Sequence, residues 1–148
     1  MILHLGAGQK PVDGRVNVDV VAMPGIDVVH DLDVYPWPWA DDSIEEIHAL
    51  HLFEHVVDPV GFMAEAWRVL VLGGLLHVEV PHYQSRNAFT DPTHRRYCTE
   101  ETFRYWVPGT WLYEIGGVAY HRGTAFTEER VEVVAGDLVV DLRKLDRP

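Results

Sequence analysis

Three stretches of this chain carry residue types that could do chemistry. The first, "LHLGAG" at 3–8, runs a short apolar strand pattern straight into Gly6, Ala7 and Gly8. Residues with no side chain, or only a methyl, let the backbone approach a ligand closely, although a lone G-x-G is also what any tight turn uses. Asp19 sharpens the reading, because it ends the next apolar run. Ligands of open α/β sheets sit at the carboxyl ends of strands, where a carboxylate can accept both hydroxyl protons of a ribose. Asp31 ends a third such run at the same level. A dinucleotide site would open a helix with G-x-G-x-x-G and set a pyrophosphate at its N-terminus. Here the loop reads "GAGQKPVDG", and Pro11 with Gly14 leaves room for no more than a turn of helix. A ribose anchor without a pyrophosphate anchor disfavours NAD and ATP and suits a nucleoside with a short polar tail.

The other two stretches are "HLFEH" at 51–55 and "PHYQSRNAFTDPTHRR" at 81–96. Glu54, His55, His82, Tyr83, Asp91 and His94 are titratable and follow the fourth and fifth strand patterns, where a substrate would lie; any of them could serve as a general base. Each also has a purely structural reading. Glu54 and His55 could organise the turn before Pro59, and Asp91 before Pro92 could be an ordinary turn or cap. Arg95 and Arg96 read as an anion clamp or, the favoured choice, as surface ion pairs. "HLFEH" is also a literal H-x-x-E-H, in which His51 and His55 would bind zinc and Glu54 would be the base. That reading requires a helix across 51–55 and a third ligand, so the match is taken as coincidence and no metal site is expected. A rival outside enzymology is a cofactor-binding module whose partner chain does the chemistry.

The elements that must position these residues follow from periodicity. Residues 2–5, 16–20 and 26–30 are strand-like, each bounded by Gly, Pro or Asp. "DLDVYPWPWADDS" is a loop. Residues 58–72 put Val60, Met63, Ala64, Trp67 and Leu70 on one helical face, ending at Gly73 and Gly74. Residues 43–56 are ambiguous: Ser43 and Glu46 form a capping box, whereas the order of elements needs a strand, and a strand over about 45–50 is expected. A strand at 75–80, a short helix at 99–106 opened by a Thr cap, and β-like runs at 118–120 and 131–142 complete the pattern. Alternating strands and helices predict an α/β sheet, parallel at first, with a β-rich end.

Composition bounds the rest. A chain of 148 residues, 47% hydrophobic, supports one domain spanning 1–148. With 12 basic and 23 acidic residues its formal charge is −11, which repels a phosphate backbone and speaks against nucleic acid. Cys98 is the single cysteine, so no internal disulfide forms and a reducing cytoplasm is the default. No apolar run approaches a membrane span, and the N-terminus lacks signal-peptide features.

"LHLGAG", "VNVDV", "HDLDVYPWPWADDSIEEI", "LFEH", "EAWRVLVLGGLLHVEVPH" and "DPTHRR" together resemble, in order, the motifs of small class I S-adenosylmethionine-dependent methyltransferases of the type-11 kind. The resemblance covers about residues 2–106. Ala7 stands where the family usually has Cys and Leu72 where it has Pro, and the chain begins on the first strand. The resemblance implies a Rossmann-like class I methyltransferase sheet, mostly parallel with an antiparallel C-terminal strand pair, the helix after the first strand reduced or absent. It also implies S-adenosylmethionine as cofactor. Gly6, Ala7 and Gly8 would pass under its methionine part, Asp19 would hold the ribose hydroxyls, Asp31 and Leu32 would meet the adenine, and His51 would lie near the sulfonium. The acceptor would be a small molecule, with His82, Asp91 and His94 as candidate catalytic residues and Trp37 as a candidate wall of the adenine pocket. The uncovered edge of "VEVVAGDLVVDL" is a candidate to pair with a second copy of the chain.

Overall fold

Short runs of Ile, Val and Leu that alternate with polar residues can bury only one face, so they must pair into a sheet and cover that face. The computed structural model describes residues 1–147 and contains one seven-stranded sheet. Its strands are β1 (Ile2–Leu5), β2 (Val16–Asp19), β3 (Val28–Val29), β4 (Ile44–Leu50), β5 (Leu70–Pro81), β6 (Phe126–Val134) and β7 (Asp137–Lys144). The order across the sheet is β3-β2-β1-β4-β5-β7-β6. The first five strands are parallel to one another, and β7 runs antiparallel to both β5 and β6. The sheet is thus α/β, mostly parallel with an antiparallel C-terminal pair.

Loops alone connect β1 to β2, β2 to β3 and β3 to β4; α1 (Pro59–Val69) crosses from β4 to β5. Between β5 and β6 lie α2 (Asn87–Thr90), a 3-10 turn (Thr102–Trp106), α3 (Trp111–Gly116) and α4 (Val118–His121). Pro59 sits in the first turn of α1, and the Asp58 Oδ1 cap accepts the Gly61 N–H at 2.9 Å. The buried face of α1 is Phe62, Met63, Ala66, Trp67 and Val69; Val60 and Ala64 lie at its half-buried margin.

Four local expectations are corrected. The helix ends at Val69, ahead of the glycines, because Leu70 is already paired with Ile44 and β5 runs on through Gly73 and Gly74. The third strand is only two residues long, as befits a sheet edge. Residues 118–121 are helical, entered from Gly117 at φ +57°. Thr99 opens no α-helix: the 3-10 turn begins at Thr102, whose Oγ1 accepts the Thr99 N–H at 2.9 Å. The ambiguous segment at 43–50 is a strand. Ser43 spends its hydroxyl on the Ala40 carbonyl, and the ladders to β1 and β5 on either side outweigh the helical cap signal.

The two faces of the sheet differ in kind. Leu3, Leu5, Ile47, Ala49, Leu76, Val78, Val140 and Leu142 face α1 and the 3-10 turn, joining Phe62, Met63, Phe103 and Trp106 in one apolar core. The alternate residues form a polar row across six strands. Register places Asn17 opposite His4, His4 opposite His48, His48 opposite His77, His77 opposite Asp141, and Asp141 opposite Arg130. Among the described residues, no helix is long and apolar enough to cross a membrane.

Candidate functional site

Because β1, β2 and β4 are parallel, Gly6, Asp19 and His51 all emerge at one edge of the sheet. Gly6 adopts φ +66°, and a Cβ there would come within 3.0 Å of Leu52 Cδ1, so the loop is pressed onto the turn that follows β4. Asp19 locks the loop from the other side. Its Oδ2 accepts the Gly8 N–H at 2.9 Å and its Oδ1 the Val21 N–H at 3.0 Å. A carboxylate offers about four acceptor positions, so two remain for ligand hydroxyls.

Two cavities meet at Gly6. One, of about 320 Å³, is lined by Gly6, Asp19, Asp31, Leu32, Leu52, His55 and Val56 among others. The second, of about 570 Å³, is lined by Gly6, Ala7, Gly8, Lys10, His51 and Glu79 among others. Every cofactor position expected from sequence lines one of the two. Leu52, Val56, Lys10 and Glu79 escaped sequence reasoning, since nothing local separates a turn residue that walls a cavity from one that does not. A larger hollow of about 640 Å³ lies at the opposite strand ends, where Arg68 pairs with Asp41 and Lys144 with Asp42. Carboxyl-end placement favours the first two.

Trp37 is not a cavity wall. It is buried in the core, edge-on to Phe62, and its indole N–H donates to the Leu32 carbonyl at 3.0 Å. Through that bond it supports Leu32 from behind.

His51 holds a left-handed backbone at φ +52°, an unusual state for a side-chain-bearing residue and one that concentrates at functional sites. Its Nδ1 stands 3.6 Å from Glu54 Oε1 and its Nε2 3.5 Å from Asp137 Oδ2. The Glu54 carboxylate, helped by Asp137, raises the imidazole pKa above its ordinary value against the opposing effect of burial.

Beyond it, the turn 53–56 is strapped to the segment 93–96. The Arg95 N–H donates to the Glu54 carbonyl at 2.8 Å. The Arg96 guanidinium donates to the carbonyls of Phe53 and Val56 and lies 5.2 Å from the centre of the Phe53 ring. Arg96 is therefore a structural strap rather than a surface ion pair, since among the described residues no backbone N–H reaches these two carbonyls. The strap brings His94 to Glu54 and His55: His94 Nε2 is 3.9 Å from Glu54 Oε1, and the two imidazole rings are 4.7 Å apart. Asp91 is exposed and caps its own turn, accepting the Thr93 N–H at 2.8 Å and the Thr93 hydroxyl at 2.7 Å. Residues 51–55 form turns, not the helix that the zinc-peptidase pattern needs. His82 lies apart from both cavities, buried, with Nε2 3.2 Å from Glu100 and its ring against Tyr83.

The fold as a whole occurs in solved structures. A methyltransferase from Archaeoglobus fulgidus dependent on S-adenosylmethionine superposes with a TM-score of 0.67 at 16% identity, covering 97% of this chain and 85% of that one. The chain has a methyltransferase fold. In sequence, residues 15–78 match the family described as a methyltransferase domain. The cyclase SpnF superposes with a TM-score of 0.66 at 14% identity, covering 98% and 75% of the two chains. A chain from Haloferax volcanii, solved in complex with the methyltransferase activator Trm112, gives 0.63 at 14% identity, covering 97% and 82%. No curated protein matches the chain in sequence. A methyltransferase fold that also serves a cyclase leaves the chemistry to be argued from the site.

Proposed function

We propose that the protein binds S-adenosylmethionine in the crevice formed by the two cavities and transfers its methyl group to a small-molecule acceptor. The observation that carries this reading is Asp19: a carboxylate at the end of β2, tied to the glycine loop, with acceptor capacity left facing a cavity of nucleoside size. Gly6, Ala7 and Gly8 would run beneath the methionine part, Asp31 and Leu32 would meet the adenine, and His51 would stand near the sulfonium. Bound there, the cofactor would supply a methyl group on a positively charged sulfur that departs as a neutral thioether. The neighbouring carboxylates of Asp19, Asp31, Glu54 and Glu79 suit that positive charge.

What the chain's own residues contribute is proximity and orientation. The acceptor is assigned to the side of the crevice bounded by Glu54, His55 and His94, with Asp91 fixing Thr93 beside them. His82 is assigned a supporting role, as its ring is spent on Glu100. Calorimetry with S-adenosylhomocysteine tests the reading. The wild type is expected to bind, and Asp19→Ala to lose about 1.5–3 kcal/mol of binding free energy, the cost of deleting a charged hydrogen-bonding group. Absence of binding by the wild type, or equal binding by the variant, would refute it.

A further inference from the structure

Glu54, His55 and His94 offer one donor atom each within 4.8 Å of the other two. Glu54 is 2% exposed, and neither of its carboxylate oxygens has a hydrogen-bond partner among the described residues. A buried carboxylate without a hydrogen bond is costly; beside its 3.6 Å contact with His51, Glu54 Oε1 faces His94 Nε2, 3.9 Å away.

The hydrogen bonds around the two imidazoles set their tautomers. His94 Nδ1 lies 2.8 Å from the Ala88 carbonyl, which can only accept, so Nδ1 carries a proton, and in the neutral ring it is Nε2, 3.9 Å from Glu54 Oε1 and Asp91 Oδ2, that holds the lone pair. The Thr93 hydroxyl donates to the Asp91 carboxylate at 2.7 Å, so at 3.0 Å it must accept from His55 Nδ1, leaving the lone pair on Nε2. An imidazole fixed through one nitrogen to a carbonyl or hydroxyl, with the other free, is the outer-shell pattern of metal-binding histidines.

We infer that Glu54, His55 and His94 form a divalent cation site of the zinc type at the seam of the crevice. Two imidazole nitrogens and one carboxylate suit a borderline ion such as zinc over magnesium or calcium, which prefer oxygen alone, and three protein ligands leave a position open. His55 lines the first cavity, and His51, which touches Glu54, lines the second, so the open position would face the crevice. The set differs from the H-x-x-E-H pattern, in which His51 would bind: His94 comes from a segment some forty residues away. Resting on the methyltransferase reading, the inference also names an acceptor class, a small molecule with a hydroxyl. Coordination would acidify that hydroxyl. Its proton would pass to solvent, its oxygen lone pair would form the new C–O bond, and the pair of the broken C–S bond would stay on sulfur.

The test is calorimetric titration of the chelator-treated full chain with zinc alone, in the absence of cofactor. One zinc per chain is expected, weakened about tenfold or more by Glu54→Gln and by His55→Ala, the latter change falling on a half-buried side chain that folding tolerates. Weakening by less than about tenfold in both variants, or no zinc bound by the wild type, would overturn the site; zinc held elsewhere among the nine histidines would survive both changes. Separate titration of the zinc-free wild type with S-adenosylhomocysteine distinguishes the two readings. Its failure beside intact zinc binding removes the methyltransferase reading and the acceptor role. Zinc failure beside intact nucleoside binding removes only the metal site. A screen of hydroxylated metabolites for S-adenosylhomocysteine release, with and without zinc, completes the test: turnover indifferent to zinc overturns the acceptor role.

Discussion

The covered and open faces of the sheet are built from the same strands and do opposite things. Under α1 and the 3-10 turn the inward positions of the central strands are apolar and fully buried, as at Leu3, Ile47, Leu76 and Val140, while at the end of β7 Lys144 lays its ammonium over Trp67. One residue along each strand, the open face carries Asn17, His4, His48, His77, Asp141 and Arg130 in a continuous row. In many α/β sheets helices cover both faces, and the strands then read as unbroken apolar runs. Here loops replace the crossovers between the first four strands, so one face remains polar and the strands alternate. Stability should therefore be concentrated on one side, with the site at the strand ends between them.

Changes graded from one face to the other would break or sharpen that contrast. The largest effect is expected from Phe62→Ala, whose ring is fully buried between Trp37 and Phe53 at centroid distances of 5.2 and 5.6 Å. A loss of about 3–5 kcal/mol is expected in denaturant unfolding. A loss below about 1 kcal/mol would mean the core is elsewhere. Next comes Arg96→Met on the same side. It removes charge-assisted bonds to two carbonyls and should cost about 1.5–3 kcal/mol, with faster amide exchange across residues 53–57.

The open face should respond to pH instead. Burial lowers the pKa of His4, with a hydrogen bond to Asn17 only partly opposing it, and lowers that of His48 despite its contact with Glu46. A histidine whose folded pKa is depressed stays neutral while the unfolded chain takes up protons, so stability is present above about pH 6.5 and falls as pH drops below it. His4→Gln and His48→Gln should each flatten that decline in urea midpoints; an unchanged slope would show that neither histidine carries it. The smallest effect is expected at His77, paired with Asp141 at 2.6 Å on the same row. His77→Gln should change stability by at most about 1 kcal/mol, as for a partly solvated pair. A larger loss would make the open face a second core.

Much of the glycine-loop side of the crevice was legible in the sequence. Strand alternation, the glycine loop that Pro11 and Gly14 keep free of helix, and acids at the ends of strands are short-range signals, and parallel pairing carries Gly6, Asp19 and His51 to one edge once the strands exist. Local signals failed where a longer-range partner competed for the same residues. Ser43 and Glu46 advertise a helix, but two neighbouring strands claim the segment; the glycines at 73 and 74 advertise a stop, but Ile44 captures Leu70 first. Residues 118–120 look β-rich, yet with no strand claiming them they coil into α4.

What the sequence by itself determined is therefore the alternation of strands and the backbone-built half of the crevice, because loops, caps and turns answer to neighbours a few positions away. The tertiary structure alone decided the half built from side chains. Glu54 and His55 meet His94 only because the Arg96 guanidinium and the Arg95 amide strap two distant segments together. The polar row from Asn17 to Arg130 exists only because the strand order sets β1 between β2 and β4 and β7 between β5 and β6. Neither contact has a periodicity to betray it. Each is set by the packing of the whole sheet.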